Sequence, residues 1–434
     1  MLVTEVWRTR PDGAIPTARY VDPAFAMLEH DRLWSRVWQI AGREEEIPEP
    51  GDVLEYEIGL VSILIVRASD GALHAMRNSC RHRGSKLVEG RAAAPGCLQC
   101  PYHGWRYALD GTLIEVVDPD DFGGALPDGL RLEPVRVDTF GGFVFVNLDA
   151  DAEPLAEFLG PLPELLAPYR LDEMRIRLAR TTVLPANWKA VIDAFNEGYH
   201  VQALHAQILP WTDDTSIAYE QFETHARYGR LPGARRALQP SPRLGIDPVD
   251  VDEGEILAGM VAGLGGAFLR DERAVVEELR RDGPPDGVSM LAAFQARRRE
   301  LMTARGFDVS TFADDELTSA QDVFWFPNLV GPIYPGSAIL FRVRPNGDDV
   351  QTAINDTWVL EWPDRSRPAR APRYETVDDW RTFEWDPVTR QDYDNLERVQ
   401  AGMRSGANEY LFTNPRQESN VVHMHRVIDR YLFG

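Results

Sequence analysis

Cysteine is nearly missing from this chain: 434 residues hold three, Cys80, Cys97 and Cys100, and none lies outside that short window. A dispersed disulfide framework of the secreted kind is thereby excluded, and thiols clustered so tightly point to a metal or redox site. Long hydrophobic runs are lacking too. No stretch approaches the roughly 18 apolar residues of a membrane span, and the start, Met1 to Arg8, has no basic-then-apolar signal layout, so a cytoplasmic location is expected. Basic charge is in deficit, with Lys and Arg numbering 46 against 68 Asp and Glu for a net −22. Such a surface repels phosphate backbones and anionic lipid, so neither nucleic acid nor membrane is an expected partner. There are no repeats, and no Gly-x-Gly-x2-Gly follows a strand pattern, which excludes a dinucleotide fold within the chain.

What is present suggests two or three domains. Residues 1–38 read as an N-terminal arm with a helical stretch near Asp22 to Trp38. Residues 39–150 carry short alternating apolar runs such as Val53 to Ile58, Val61 to Val66 and Gly142 to Leu148, separated by turn signals, and predict a small all-β domain. Residues 151–434 mix helical periodicity (Pro154 to Tyr169, Trp188 to Leu204, Pro387 to Arg404) with strands near Ala338 and Asp349. The segment from Leu257 to Leu269 is apolar and rich in glycine, too short for a membrane and suited to packing or to lining a pocket.

Chemistry concentrates in two places. Cys80-x-His82 is followed by Cys100-x2-His103, each half beside turn residues. Two thiolates on one iron and two imidazoles on the other can hold a [2Fe–2S] cluster, and exchanging thiolate for neutral imidazole raises its potential to about −150 to +300 mV from about −400 mV. A zinc site is the bland alternative, since Cys97-x2-Cys100 exists, but the second Cys or His pair that such sites use is missing. Cys97 then reads as an extra thiol packed near the loop.

The strings Cys-x-His-Arg-Gly and Cys-x2-His-Gly-Trp, with Gly141 to Leu148 downstream, resemble the Rieske domain of ring-hydroxylating oxygenase α subunits. A second string agrees: Asn187-Trp-Lys, then Glu197-x2-His200-x4-His205, resembles the mononuclear iron site of the same family. Two His and one carboxylate form a facial triad that leaves positions open on Fe(II). Five residues is about 500° of regular helix, so His200 and His205 share a face only if the helix widens or ends between them. The resemblance implies a third ligand near a later Gln-x-Gly; Asp392 fits, with Asp394 as the fallback. It also implies a bridging carboxylate at Glu197, or at Asp193 one turn earlier.

Several further expectations follow from the resemblance. The fold is α+β, an N-terminal all-β Rieske domain plus a C-terminal helix-grip, START-like domain with an antiparallel sheet. The cofactors are one [2Fe–2S] cluster and one Fe(2+). The assembly is a homotrimer, with or without β subunits, and the reaction dihydroxylates an aromatic or related apolar molecule in aromatic catabolism, or else is a monooxygenation by O- or N-dealkylation. A Rieske electron carrier is the distant alternative. Electrons would come from a separate ferredoxin or an NAD(P)H-dependent flavin reductase. Residues 77–106 carry Arg77, Arg81, Arg83, Lys86, Arg91 and Arg106 against Glu89, a basic stretch able to steer an acidic ferredoxin. Val191, Ile192, Ala194, Phe195, Leu204 and parts of the segment from Gly259 to Phe268 are expected to wall the pocket, and His423 and His425 to be structural.

Overall fold

The computed structural model describes residues 5–229, 231, 238–247, 250–263, 268–368 and 370–434. These form two compact units, one of Met27–Leu159 and one of Met1–Ala26 with Gly160–Gly434.

The smaller unit is built on a seven-stranded antiparallel sheet in the order Gln39–Arg43, Phe143–Asn147, Pro134–Phe140, Leu73–Arg77, Val61–Arg67, Asp52–Ile58, Arg91–Ala93. The β-branched and aromatic runs read from the sequence supply its buried strands, with all five residues of Phe143–Asn147 buried. A three-stranded sheet of Leu98–Gln99, Arg106–Tyr107 and Leu113–Glu115 carries the second cysteine loop. Its core gathers Cys80, Cys100, Trp105 and Tyr107 around Leu64, Leu98 and Leu132, so both loops are anchored in packed interior.

The larger unit holds an eight-stranded sheet. In chain order its strands are β1 (Arg175–Leu184), β2 (Ala218–Gln221), β3 (Ala226–Gly229), β4 (Gln321–Trp325), β5 (Leu329–Tyr334), β6 (Ser337–Asn346), β7 (Asp349–Glu361) and β8 (Arg373–Val377). They lie in the order β2-β3-β4-β5-β6-β7-β1-β8, antiparallel throughout except for the β1–β8 edge pair. Seven helices matter here: α1 (Trp188–Phe195), α2 (Val201–Leu204), α3 (Glu253–Gly263), α4 (Arg270–Asp282), α5 (Met290–Ala304), α6 (Pro387–Arg404) and α7 (Ser419–Phe433). This is the expected α+β arrangement, a sheet gripped by helices.

Two helical expectations are corrected. The stretch 188–204 is not one helix: α1 stops at Phe195 and α2 is a single turn starting at Val201. The reason is local, because the Glu197 carboxylate accepts the backbone N–H groups of Tyr199 and His200 and so starts a new turn where the old one frays. The stretch 154–169 likewise breaks at Gly160-Pro161 into Leu155–Leu159 and Leu162–Leu166. A π-type turn does occur, but at His30–Trp34.

Candidate active site and cysteine–histidine loops

The two loops of the smaller unit repeat one backbone pattern. The Cys80 carbonyl accepts from Gly84 N at 2.9 Å and Cys80 N donates to the Ser85 carbonyl at 2.9 Å; Cys100 repeats this with Gly104 at 3.1 Å and Trp105 at 2.8 Å. Gly84 and Gly104 take φ of +75° and +71°, the left-handed region where a side chain is strained. The result sets the buried Cys80 and Cys100 side by side, with backbone N–H groups of His82, Tyr102 and His103 turned toward their sulfurs. The Tyr107 hydroxyl reaches Cys80 Sγ at 3.2 Å. The imidazoles pair as well, His82 and His103 lying 4.5 Å apart between ring centroids, with Trp105 stacked on His82 at 4.9 Å. His82 Nδ1 is buried with no hydrogen-bond partner among the described residues. Adjacent sulfurs facing adjacent imidazoles, ringed by N–H donors, suit an iron–sulfur cluster with two kinds of ligand. Cys97 stands aside, against Arg106.

The basic stretch beside these loops is smaller than its sequence suggests. Arg77 pairs with Glu133 (3.1 Å), Lys86 with Glu55 and Glu57 (2.9 and 2.6 Å), Arg91 with Glu46 (2.9 Å) and Arg106 with Glu115 (2.7 Å). The fold brings those acids from outside residues 77–106. Arg81 and Arg83 remain exposed, Arg83 over the Tyr102 ring at 5.4 Å, and no acid among the described residues pairs with either.

In the larger unit His200, His205 and Asp392 converge, one donor atom from each lying within 4.8 Å of the others. His205 Nε2 lies 2.9 Å and His200 Nε2 3.9 Å from Asp392 Oδ1. The five-residue spacing works because the helix ends: His200 and His205 flank the single turn α2 as its N- and C-caps, and His205 leaves helical geometry at φ −117°, ψ 41°. Each ring is held from behind. Glu197 Oε1 lies 2.6 Å from His200 Nδ1, and Gln391 Oε1 lies 2.8 Å from His205 Nδ1. With Nδ1–H donating to those oxygens, the two Nε2 lone pairs face the shared point, the arrangement of a metal-binding histidine pair.

Helix α6 delivers the carboxylate. Asp386 caps it through Thr389 N at 3.0 Å, and its buried stripe is Asp392, Tyr393, Leu396, Gln400 and Met403. Gln400 accepts from Asn187 N at 2.9 Å, while Asn187 Oδ1 caps α1 through Lys189 N at 3.1 Å. One glutamine thus pins α6 to the start of α1, the helix that leads to both histidines. Asp394 faces Arg390 at 3.1 Å instead. Asp193 is engaged elsewhere: its Oδ2 accepts the Tyr20 hydroxyl at 2.6 Å, and that hydroxyl lies 2.8 Å from Nε2 of the buried His425. Burial lowers the pKa of His425.

The convergent donors border a cavity of about 580 Å³. Its floor is the concave sheet face, read row by row from register: Tyr228 pairs with Asp322 and Asp322 with Pro332, while Ile339 and Phe341 pair with Val359 and Thr357, which pair with Leu178 and Arg180. Of the expected walls, Ala194, Phe195, Met260, Ala262 and Gly263 line it; Val191, Ile192 and Leu204 do not, and residues 264–267 lie outside the described residues. Val191 and Ile192 turn into the core because α1 packs that face on the sheet. Sequence reading missed Gln391 and the aromatic walls Trp211, Tyr228, Tyr334, Phe341 and Trp385. For Tyr228, Tyr334 and Phe341 the signal is strand alternation once the register is known; Gln391, Trp211 and Trp385 lie off the sheet and carry no such signal. No helix among the described residues is long and apolar enough to cross a membrane.

Comparison with known proteins agrees with this architecture. The family model for the Rieske [2Fe–2S] domain matches residues 37–125, and that for the ring-hydroxylating α subunit catalytic domain matches 171–250 and 274–434. The glycine betaine monooxygenase oxygenase subunit of Chromohalobacter salexigens is 29% identical over 412 residues, covering 91% of this chain and 80% of its own. The carnitine monooxygenase oxygenase subunit of Escherichia coli is 32% identical over 193 residues, covering 44% and 52%. A quaternary ammonium Rieske monooxygenase solved with L-carnitine shares the fold at TM-score 0.67 and 16% identity, over 98% of both chains. The chain therefore belongs to the Rieske non-haem iron oxygenases, pairing a [2Fe–2S] domain with the catalytic domain of a ring-hydroxylating α subunit, and its cofactors are one cluster and one mononuclear iron.

Proposed function

We propose that this oxygenase is a monooxygenase acting on a methylated ammonium compound, with His200, His205 and Asp392 holding the iron and Cys80, His82, Cys100 and His103 holding the cluster. The observation that carries the reading is the cavity: three convergent donors open onto a chamber walled by Phe195, Trp211, Tyr228, Tyr334 and Phe341. Aromatic faces attract a cation whose methyl groups give it no N–H to donate, and quaternary ammonium groups are recognised in this way. The relatives above are named for glycine betaine and carnitine. Both lines of support favour the dealkylating alternative over the dihydroxylation of an aromatic compound that the sequence first suggested.

When bound, the cluster supplies single electrons and the iron activates O2. The protein's own groups do the rest. Glu197 and Gln391 fix the tautomer and tilt of the two imidazoles, so Glu197 is a positioning residue, and it is also our choice for the bridging carboxylate. Asp193, held by Tyr20, braces α1. The walls place a C–H bond next to nitrogen beside the donors and exclude water. One oxygen atom enters that bond and the other leaves as water, consuming two electrons and two protons; the hydroxylated carbon then parts from nitrogen, giving an amine, an aldehyde and a proton. A separate ferredoxin or flavin reductase delivers the electrons, and the reading includes a homotrimer, which would sediment at three times the 48.9 kDa chain mass.

The test is substrate-dependent O2 uptake with a surrogate reductase, run over glycine betaine, carnitine, choline and neutral aromatic compounds. Uptake with a methylated ammonium compound, one labelled oxygen atom in the organic product and release of an aldehyde support the reading. Uptake confined to aromatic compounds, with both atoms in one diol, refutes it.

A further inference from the structure

The machinery above leaves one half-buried group in the cavity without a task. Among the described residues, Asp322 is the sole acid on a strand that lines the chamber. The remaining acids on its walls are occupied. Glu197 and Asp392 serve the histidines, Asp213 Oδ1 accepts Thr215 N at 3.0 Å and Thr215 Oγ1 at 2.6 Å, and Asp386 caps α6. The arginines on β1 are committed as well: Arg180 pairs with Glu375 at 2.7 Å and lies over Phe383 and Trp385, and Arg177 donates to the Phe268 carbonyl at 2.9 Å beside Glu361. Arg180 also lies four strands from Asp322, roughly 19 Å at about 4.8 Å per strand.

The group that meets the Asp322 carboxyl is the Tyr228 hydroxyl, and no cation among the described residues pairs with it. An isolated carboxylate in an aromatic chamber is costly to keep charged, and an incoming cation would relieve that cost. Burial raises its pKa from 3.8 to about 7, as expected of a carboxylate that lacks its counter-ion. The surroundings also define the cation. A primary ammonium needs several acceptors, whereas the strand residues that line the chamber include one carboxyl together with the rings of Tyr228, Tyr334 and Phe341. It offers charge and π faces, the two things a methylated nitrogen can use.

We infer that Asp322 is the specificity-determining counter-ion of the substrate's methylated ammonium head, held on the sheet floor while the carbon to be oxidised reaches the His200–His205–Asp392 end. This rests on the proposed monooxygenase reading and adds to it the residue that selects the charge.

The experiment compares each methylated ammonium compound with an isostere in which uncharged carbon replaces the cationic nitrogen, choline with 3,3-dimethylbutan-1-ol and glycine betaine with 3,3-dimethylbutanoate. Holoenzyme with a surrogate reductase is assayed by O2 uptake, and quenching of tryptophan fluorescence gives the dissociation constants. The wild type should prefer the cation at least tenfold in kcat/KM. In Asp322→Asn, with folding checked by thermal unfolding, that preference should fall at least tenfold, chiefly through KM and Kd. Asp322→Glu keeps the charge and should retain most of the preference, which separates lost charge from lost fold. A folded Asn variant that keeps the wild-type preference overturns the role of Asp322 and leaves the monooxygenase reading standing. A wild type that oxidises aromatic compounds and no cation overturns both.

Discussion

The hydrogen bond behind His205 gives a sharp test of how the proposed iron site is held. Gln391 Oε1 lies 2.8 Å from His205 Nδ1 and also accepts Gln207 Nε2 at 2.6 Å. Replacing Gln391 by Leu keeps the bulk and removes the acceptor, leaving a buried imidazole N–H unpaired and the ring free to exchange tautomers. A neutral hydrogen bond contributes about 0.5–1.5 kcal/mol net, and losing a partner behind a ligating histidine typically weakens metal binding about 10- to 100-fold. The expected loss for Gln391→Leu is therefore about tenfold, or ~1.4 kcal/mol. Gln391→Glu should shift it the other way, since a charged acceptor makes a stronger bond. Gln207→Leu leaves the His205 contact in place and should cost no more than about threefold, a partial loss within the neutral-bond range. Purified enzyme is dialysed against graded chelator, and iron is quantified while visible absorbance tracks the cluster. If Gln391→Leu gives up mononuclear iron at the wild-type chelator concentration, the claim that this amide orients a ligand is wrong.

Other outcomes follow from groups outside that shell. Asp356 is buried against Arg342 (2.8 Å) with Thr181 at 2.6 Å; burial opposes its charge, but the two arginines prevail and hold its pKa at about 2 against 3.8 unfolded. That stability is complete above pH 3.8 and lost as pH falls toward 2, about 2 kcal/mol from the shift, so Asp356→Asn should flatten the acid limb of the stability profile and strand a buried arginine at a cost of about 3–5 kcal/mol. For Asp322 the sign is opposite, since a raised carboxylate pKa destabilises the fold as pH climbs from 3.8 to about 7. Asp322→Asn should accordingly melt higher than wild type at pH 8 and level with it at pH 4. In the wild type kcat/KM for a cation should drop as pH is lowered through 7, with the neighbouring Tyr219, Tyr228 and Tyr334 staying un-ionised because burial raises all three. Reversing Arg81 and Arg83 to Glu should slow cluster reduction by an acidic ferredoxin about tenfold at low salt and abolish its salt dependence; stopped-flow traces unchanged at both salt levels would remove the docking idea.

The parts of this protein that were legible in its sequence are those whose residues are close in the chain. Cys80, His82, Cys100 and His103 share two short loops, and His200 and His205 flank one turn. Asp392 lies far from them, yet Gln400 on the same helix contacts Asn187, so motifs distant in sequence prove to be one device. The cavity floor was illegible because it depends on strand register: nothing in Gln321-Asp-Val-Phe-Trp marks Asp322 until Tyr228 and Pro332 are set beside it. Counting charges between residues 77 and 106 overstated the unpaired positive charge, since Glu46, Glu55, Glu115 and Glu133 arrive from outside that stretch. The helix expected over 188–204 failed because periodicity cannot see a carboxylate turning back on the chain.

The matching turns around Gly84 and Gly104 have a consequence for how the smaller unit could lose its cofactor. Each turn contributes one sulfur and one imidazole, so on the proposed ligation either metal atom is gripped by both turns at once. Loosening either turn would therefore take one ligand from each metal atom, weakening both together. Bleaching by a chelator or an oxidant should proceed in one concerted phase.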